Sequence, residues 1–484
     1  MARTIRLSIV AVWLVLLGLL LRERWSTTPA PPVAVTPAAI VPADEWLNVY
    51  HQEHKIGYVH HRSAPAEGGG FVVEEHSLLR LVVMDTPQTV RTIVSGRTDA
   101  DYALQQFSFE LSSGVGTLNV RGTVTGDALD LTLATGAEHS TQRLALSAPV
   151  YLPATLRNFV AAGELRAGRT LQVSVFDPSA MKNAPVQVTV EQREPVPNGS
   201  PGQVAWRVRE EFRGIQTTAW IDDAGTVLRE QGPMGLVLVR TDARDALHGS
   251  WSSDTALDLV RTVAIPVVGT IDTPRELREL RLRLRGIDLD QVPSDARQQR
   301  GGEIWTIRRE DLAAAASYTL PDVASEHRAE LAATALLQVE HPRVQSAAAE
   351  ALAGEHDALA AVHRLLAWIA GYMKQAPTAS IPNALQVLAD RQGDCNEHAV
   401  LFAALARAAG LPARVVAGVV YLDGAFYYHA WNEVWLGHWV SVDPVFNQFP
   451  ADPTHLKFVQ GGPEEEFAIL QVIGRVHIDV LGSR

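Results

Sequence analysis

The chain carries one cysteine among 484 residues, Cys395, in the run Gly393-Asp394-Cys395-Asn396-Glu397-His398 that opens the helix-forming stretch Ala399 to Arg407. A thiol in the first turn of a helix lies beside orphan backbone N–H groups and the positive end of the helix dipole, and both favour thiolate over thiol. That placement makes a nucleophile. Downstream, Phe426 to Trp435 and His438 to Pro444 are rich in aromatic and β-branched residues and flank a break at Gly437, the pattern of a β-hairpin. Alternate strand residues share a face, so His429, Trp431 and Glu433 go together, as do Trp439, Ser441 and Asp443. An odd-numbered loop such as Leu436-Gly437-His438 brings His429 and Asp443 to one face of the ladder. Their Cβ atoms are then roughly 5–8 Å apart, close enough for a carboxylate to orient an imidazole. A two-residue loop puts them on opposite faces, so the chemistry hangs on the parity of this turn.

These residues carry a resemblance. The Gly-Asp-Cys turn and its Ala/Leu-rich helix are followed by Arg407-Ala408-Ala409-Gly410-Leu411-Pro412-Ala413-Arg414-Val415-Val416-Ala417-Gly418. Then come Tyr428-His429-Ala430-Trp431-Asn432-Glu433-Val434 and Trp439-Val440-Ser441-Val442-Asp443-Pro444. In this order they resemble the bacterial transglutaminase-like superfamily, over Pro342 to Lys457, roughly a quarter of the chain. The resemblance implies a papain-like α+β fold with Cys395 as nucleophile, His429 as general base and acid, and Asp443 as the orienting carboxylate. The backbone N–H of Cys395 is a natural oxyanion donor, and Gln392 is a candidate for a second.

Blander readings exist for each residue alone. A single Cys is commonly a small buried hydrophobe, and a His in an aromatic strand is commonly a core residue. Their conjunction with Asp443 favours the triad. Zinc held by Cys395 and His398 at i, i+3 lacks a second Cys/His pair at ligand spacing, so neither a metal nor a cofactor is expected. His398 lies either on the same helix face near the cleft or in solvent.

The elements that must position this site follow from patterning. Leu359, Val362, Leu366 and Ile369 recur at three- and four-residue steps, the signature of a helix with one buried face, and Ala384 to Asp390 reads as a short helix leading into the Cys395 turn. From Trp46 to about Ala264 strand follows strand. Leu118, Val120 and Val124 precede a Gly126-Asp127 turn and alternating Leu129, Leu131 and Leu133, and Asp222-Asp223-Ala224-Gly225 marks another hairpin. Arg275 to Leu320 gives a second, short β unit, in which Leu280 to Arg285 alternates as a strand with one solvated Arg face. His51, His54, His60 and His61 straddle a hairpin expected around Lys55-Ile56-Gly57, match no metal template, and read as exposed strand residues.

At the N-terminus Arg3 and Arg6 precede the apolar run Leu7 to Leu21, and Arg22, Glu23, Arg24 and Trp25 come next in place of a cleavage site. This favours an uncleaved signal anchor, and a single N-terminal span most often exports the body of its chain. Ser26 to Ala43 is a Pro-rich spacer. A net charge of −12 argues against a nucleic-acid footprint. The expected organisation is therefore a signal anchor or transmembrane segment at 1–25, a linker at 26–43, an antiparallel β-rich region at 44–264, a short β unit at 265–322 and an α+β, papain-like transglutaminase core at 323–484. The expected function is a thiol enzyme of the inner membrane with its body in the periplasm, hydrolysing a peptide or isopeptide amide in protein or cell-wall peptide through a Cys395 thioester. An amine-transferring crosslinker and a non-catalytic scaffold of the same fold are the alternatives. On cell fractionation the intact chain should sediment with the membrane, and protease should reach its body only once the outer barrier is opened. Recovery from cytosol without detergent would contradict this topology.

Overall fold

The computed structural model describes residues 43–83, 85–114, 116–135, 138–156, 165–212, 214–248, 251, 263–267, 269–321 and 325–484. The apolar run at 7–21 and the spacer up to 42 lie outside the described residues. Among the described residues, no helix is long and apolar enough to cross a membrane.

Fourteen strands, from β1 (Ala43–His51) to β14 (Leu236–Thr241), form one sheet in which neighbours pair antiparallel. Its order is two meanders laid side by side: β1 to β8 (Glu138–Ala145) run outward one way, β9 (Thr170–Asp177) to β14 return, and β14 closes on β1. The strands form where apolar residues alternate. Leu118, Val120, Leu129, Leu131 and Leu133 are buried on either side of a two-residue turn whose Gly126 takes φ +63°, a conformation that glycine adopts without strain. Twist rolls the sheet until its distant strands share a core. The rings of Phe107 in β5 (Leu104–Ser113) and Phe176 in β9 are 5.1 Å apart. The first hairpin turns at Gln52-Glu53, both at positive φ, and not around Lys55-Ile56-Gly57. His51 and His61 are buried inside the sheet and His60 is half-buried, so of the four histidines expected to be exposed only His54 is.

The C-terminal part is an α+β unit. Its central sheet pairs β15 (Ile265–Pro266), β22 (Ala425–Trp435), β21 (Ala413–Leu422) and β24 (Leu456–Gly461), with β23 (Trp439–Val442) also on β22. After the short helix α1 (Ala243–His248), its helices are α2 (Pro342–Leu352), α3 (Ala358–Tyr372), α4 (Ala384–Asp390) and α5 (Cys395–Ala408). The apolar faces of α2 to α5 bury against Ala430, Val434, Val440 and Val442 of β22 and β23. On α3 Ala358, Ala361, Val362, Leu365, Leu366 and Ile369 are buried, a stripe of 3.6-residue period; of the four residues expected from the sequence Val362, Leu366 and Ile369 lie in it, while Leu359 is only half-buried at its edge. A second core joins the central sheet to a four-stranded sheet of β17 (Gln298–Gly301), β18 (Ile304–Arg308), β16 (Glu279–Arg285) and β25 (His477–Ser483). Leu280, Leu282 and Leu284 of β16 point into that core, beside Ala417, Val419, Leu456 and Phe458. The last strand of the chain thus completes a sheet begun two hundred residues earlier, as its pairing with Leu280–Arg285 shows.

β24 lies close against β21 at one position. A Cβ on Gly418 would meet the carbonyl oxygen of Leu456 at 2.1 Å and the Trp431 ring at 2.7 Å. Gly418→Ala should therefore force β24 off β21 and lower stability by about 1–3 kcal/mol or more, read as a fall in the urea midpoint. An unchanged midpoint would show that the two strands are not packed as described.

Candidate active site

Cys395 is the first residue of α5, half-buried and packed on the helical core. The helix starts there because Asp394 caps it: its carboxylate accepts from the Asn396 N–H at 2.9 Å, while Glu397 reaches back to the Asp394 N–H at 2.9 Å, a complete capping box. Glu397 is buried and held in turn by the Thr378 and Ser380 hydroxyls at 2.8 and 2.5 Å. Burial and the neighbouring Glu397 charge push the Asp394 carboxyl well above the usual carboxylate range.

Two hydrogen bonds staple the start of α5 to β22. The Tyr428 hydroxyl donates to Asn396 Oδ1 at 2.7 Å and the Asn432 amide donates to the Ala399 carbonyl at 2.9 Å. His429 lies between these two anchors on the strand. β22 and β23 pair Asn432 with Val442 and Trp435 with Trp439, so the loop is Leu436–His438 and has three residues. Continuing that register puts Asp443 level with Trp431, one diagonal step from His429 on the same face. His429 Nε2 donates to Asp443 Oδ2 at 2.8 Å. The imidazole is flanked by Phe446, whose ring lies 4.9 Å away at 15°, and by Trp431 at 6.1 Å and 18°. Because an ionised carboxylate only accepts, the proton sits on Nε2 and Nδ1 is the basic atom.

Asp443 has no solvent exposure, and each of its oxygens takes two donors. Oδ1 accepts the Val445 and Phe446 N–H groups at 2.7 and 3.0 Å. Oδ2 accepts from His429 and, at 2.9 Å, from His455 Nε2. Burial alone would raise its carboxyl, but the His429 charge and the hydrogen bonds to His429 and His455 hold it far below the usual carboxylate range. His455 is a site residue that the sequence does not single out. It precedes β24, a strand recognisable as the neighbour of β21 only once the sheet is assembled, and the spacing of twelve residues from Asp443 carries no local signal.

His398 is buried, and its Nδ1 donates to the Asp394 carbonyl at 2.7 Å. It lies near His429 and Asp443, both of which act on its charge, and burial holds it below its ordinary value. The solvated alternative is thereby set aside. Gln392 lines a crevice with Thr378, Gln386 and Asp390 beneath the large sheet. A cavity of about 320 Å³ opens beside Phe446 and is lined by Arg275, Tyr421, Gln448 and Asp452. Among the described residues, His429, Asp443 and His455 are the group whose donor atoms converge closely enough to hold a metal, within 4.8 Å. Their contacts are hydrogen bonds from two imidazoles to one carboxylate, which account for the cluster as it stands.

The model of the transglutaminase-like superfamily matches residues 345–444. No curated protein matches the chain. Among solved structures, a beta-barrel-like protein of a domain of unknown function from Brucella abortus is similar at 14% identity, over 42% of this chain and 98% of that one, with a TM-score of 0.34. A putative cysteine protease from Cytophaga hutchinsonii is similar at 15% identity, over 41% and 83%, with a TM-score of 0.29. The periplasmic domain of TgpA from Pseudomonas aeruginosa, bound to ethylmercury, is similar at 20% identity, over 36% and 90%, with a TM-score of 0.22.

Burial opposes the charge on His455, yet its hydrogen bonds to Asp443 and Asp452 outweigh it and raise the ring from 6.5 to about 9. The folded state therefore binds this proton more tightly than the unfolded one. The stability it contributes is fully present below pH 6.5 and is lost as pH rises through 9. It amounts to about 3 kcal/mol. Thermal melts should show the parent chain losing its advantage over His455→Gln between these two pH values. Parallel curves for the two proteins would contradict the assignment.

Proposed function

We propose that the protein is a transglutaminase-like thiol enzyme that hydrolyses a peptide or isopeptide amide through a thioester on Cys395. The observation that carries this reading is the 2.8 Å hydrogen bond from His429 Nε2 to the buried Asp443, on a strand stapled to the helix that begins at Cys395. His429 Nδ1 takes the thiol proton and Sγ bonds to the substrate carbonyl carbon. The Cys395 backbone N–H is the donor for the oxyanion. The carbon–nitrogen bond then breaks, and the amine leaves with the proton from Nδ1. A water gives a proton to Nδ1 as its oxygen adds to the thioester carbonyl, and the acid departs as Cys395 regains the proton. Asp443 fixes the ring and its tautomer throughout.

The cavity beside Phe446 offers room for a substrate side chain, with Arg275 at its rim. The substrate class is a peptide amide in protein or cell-wall peptide. The apolar run Leu7 to Leu21 and the Pro-rich spacer support a single-pass inner-membrane anchor with the body outside. Water is the favoured acyl acceptor, because a body in open solvent must exclude water to favour an amine.

A thioester is intercepted by any good amine. With hydroxylamine in a turnover assay on a peptide library or on cell-wall peptide, the parent chain should yield hydroxamate alongside free acid. Cys395→Ser should yield neither, and Asp443→Asn should be slower by about 10⁴ because His429 is left in the wrong tautomer. A lysine-like amine outcompeting water at millimolar concentration would move the reading to crosslinking. Binding that survives Cys395→Ser, with no product from the parent, would move it to a scaffold.

A further inference from the structure

The second imidazole on Asp443 has no counterpart in the mechanism above. His455 is fully buried, and both of its ring nitrogens face acceptors. Nε2 is 2.9 Å from Asp443 Oδ2, and Nδ1 is 3.1 Å from the Asp452 carbonyl and 3.4 Å from Asp452 Oδ1. A neutral imidazole has one N–H and cannot satisfy both sides. Only the imidazolium donates from both.

Asp452 is itself fixed. Its Oδ1 accepts the Thr454 N–H and hydroxyl at 2.9 and 2.5 Å, its Oδ2 accepts the Gln448 amide at 2.9 Å, and its carbonyl accepts from Arg297 at 2.7 Å. The four side chains thus form one row, His429, Asp443, His455 and Asp452, in which two carboxylates alternate with two imidazoles. The charged and titratable groups packed on His455 are His429 from β22, Asp443 from the end of β23 and Asp452 from its own loop. His398 of α5 stands beyond His429, and the Arg297 guanidinium stands beyond Asp452.

On the reading of the site proposed above, we infer that His455 is a positioning residue that is charged at neutral pH: it pins Asp443 by the oxygen shared with His429 and weakens the hold of that carboxylate on the His429 proton. A triad whose carboxylate is undiluted binds the imidazolium tightly and releases its proton to the departing amine reluctantly. A cation whose ring centre lies 5.7 Å from that of His429 opposes this. The direction in which His455 itself is shifted, upward, agrees with the geometry. His455 touches neither the thiol nor the substrate in this scheme, and it acts through Asp443.

Two measurements test the inference on the full chain. In the parent, labelled with ¹⁵N-histidine, one of the sixteen histidine rings should remain doubly protonated at pH 8, where an ordinary ring is neutral. If every ring is neutral at that pH, the inference is wrong, and this readout needs no variant to fold. Alkylation of Cys395 by iodoacetate, an anion drawn to the His429 imidazolium, should slow as His429 loses its proton. In His455→Gln, which still offers Asp443 a donor, that alkaline limb should move up by about one to two pH units, the effect of removing a unit charge about 6 Å away at an effective dielectric near 20. A purely structural role would lower the melting temperature and leave the limb in place, and a limb that stays or moves down overturns the inference. Failure of the thiol-enzyme reading looks different: Cys395 of the parent would then be inert to iodoacetate at every pH, while the ring protonation measured by nitrogen labelling would stand.

Discussion

A carboxylate with no access to water must be stabilised by the protein around it, and the architecture near the site is organised by that demand at Asp443. Moving an ionised carboxylate into the interior costs several kcal/mol unless each lone pair finds a donor. Asp443 finds four, two from the turn just after it and two from imidazoles on either side. The turn donors require Val445 and Phe446 to fold back over the carboxylate, and that same turn brings the Phe446 ring against His429. The imidazole donors require β22 and the loop before β24 to approach from opposite sides of β21.

The surrounding charges serve this assembly. Arg297 and Glu310 form a buried pair in which Arg297 holds the carbonyls of Ala451 and Asp452, while Glu310 accepts from the Ser441 N–H two residues before Asp443. Lys457, fully buried, bridges Glu433 of β22 and Asp295 of the loop leading into β17. The small β16–β18 sheet is therefore the buttress that sets where β23 and β24 end. On the other side, Thr378 and Ser380 hold Glu397 and with it the cap of α5, and the segment carrying them meets the large sheet, where Gln88 donates to the Pro377 carbonyl at 3.3 Å and Ile381 joins the sheet core. The β-rich region thus touches the loop that fixes the helix bearing Cys395.

Local chemistry makes part of this legible in the sequence. The helix at Cys395 announces itself by a capping box, Asp394 to Glu397, and the face shared by His429 and Asp443 follows from period-two alternation once the loop Leu436–His438 is known to have three residues. The buried stripe of α3 and the turn at Gly126-Asp127 are equally local. The rest is long-range. His455 meets Asp443 only because β24 pairs with β21, and Lys457 meets Asp295 across more than a hundred and fifty residues. Nor does any short-range pattern say that fourteen strands join in one sheet, or that His477–Ser483 pairs with β16. His51 and His61 share the inward face of Leu47 and Val49 and of Val59, but the glycine that reads as a turn, Gly57, lies within a strand while the chain reverses at Gln52-Glu53.

The central claim is that the His429–Asp443 pair makes Cys395 a nucleophile. Its most direct test is the rate of Cys395 alkylation by iodoacetamide as a function of pH, in the parent chain and in His429→Ala. The account predicts fast reaction well below the ordinary thiol value near 8.5, with the profile moving to higher pH when the imidazolium partner is removed. A thiol that resists alkylation at every pH, or a profile indifferent to His429→Ala, would contradict it.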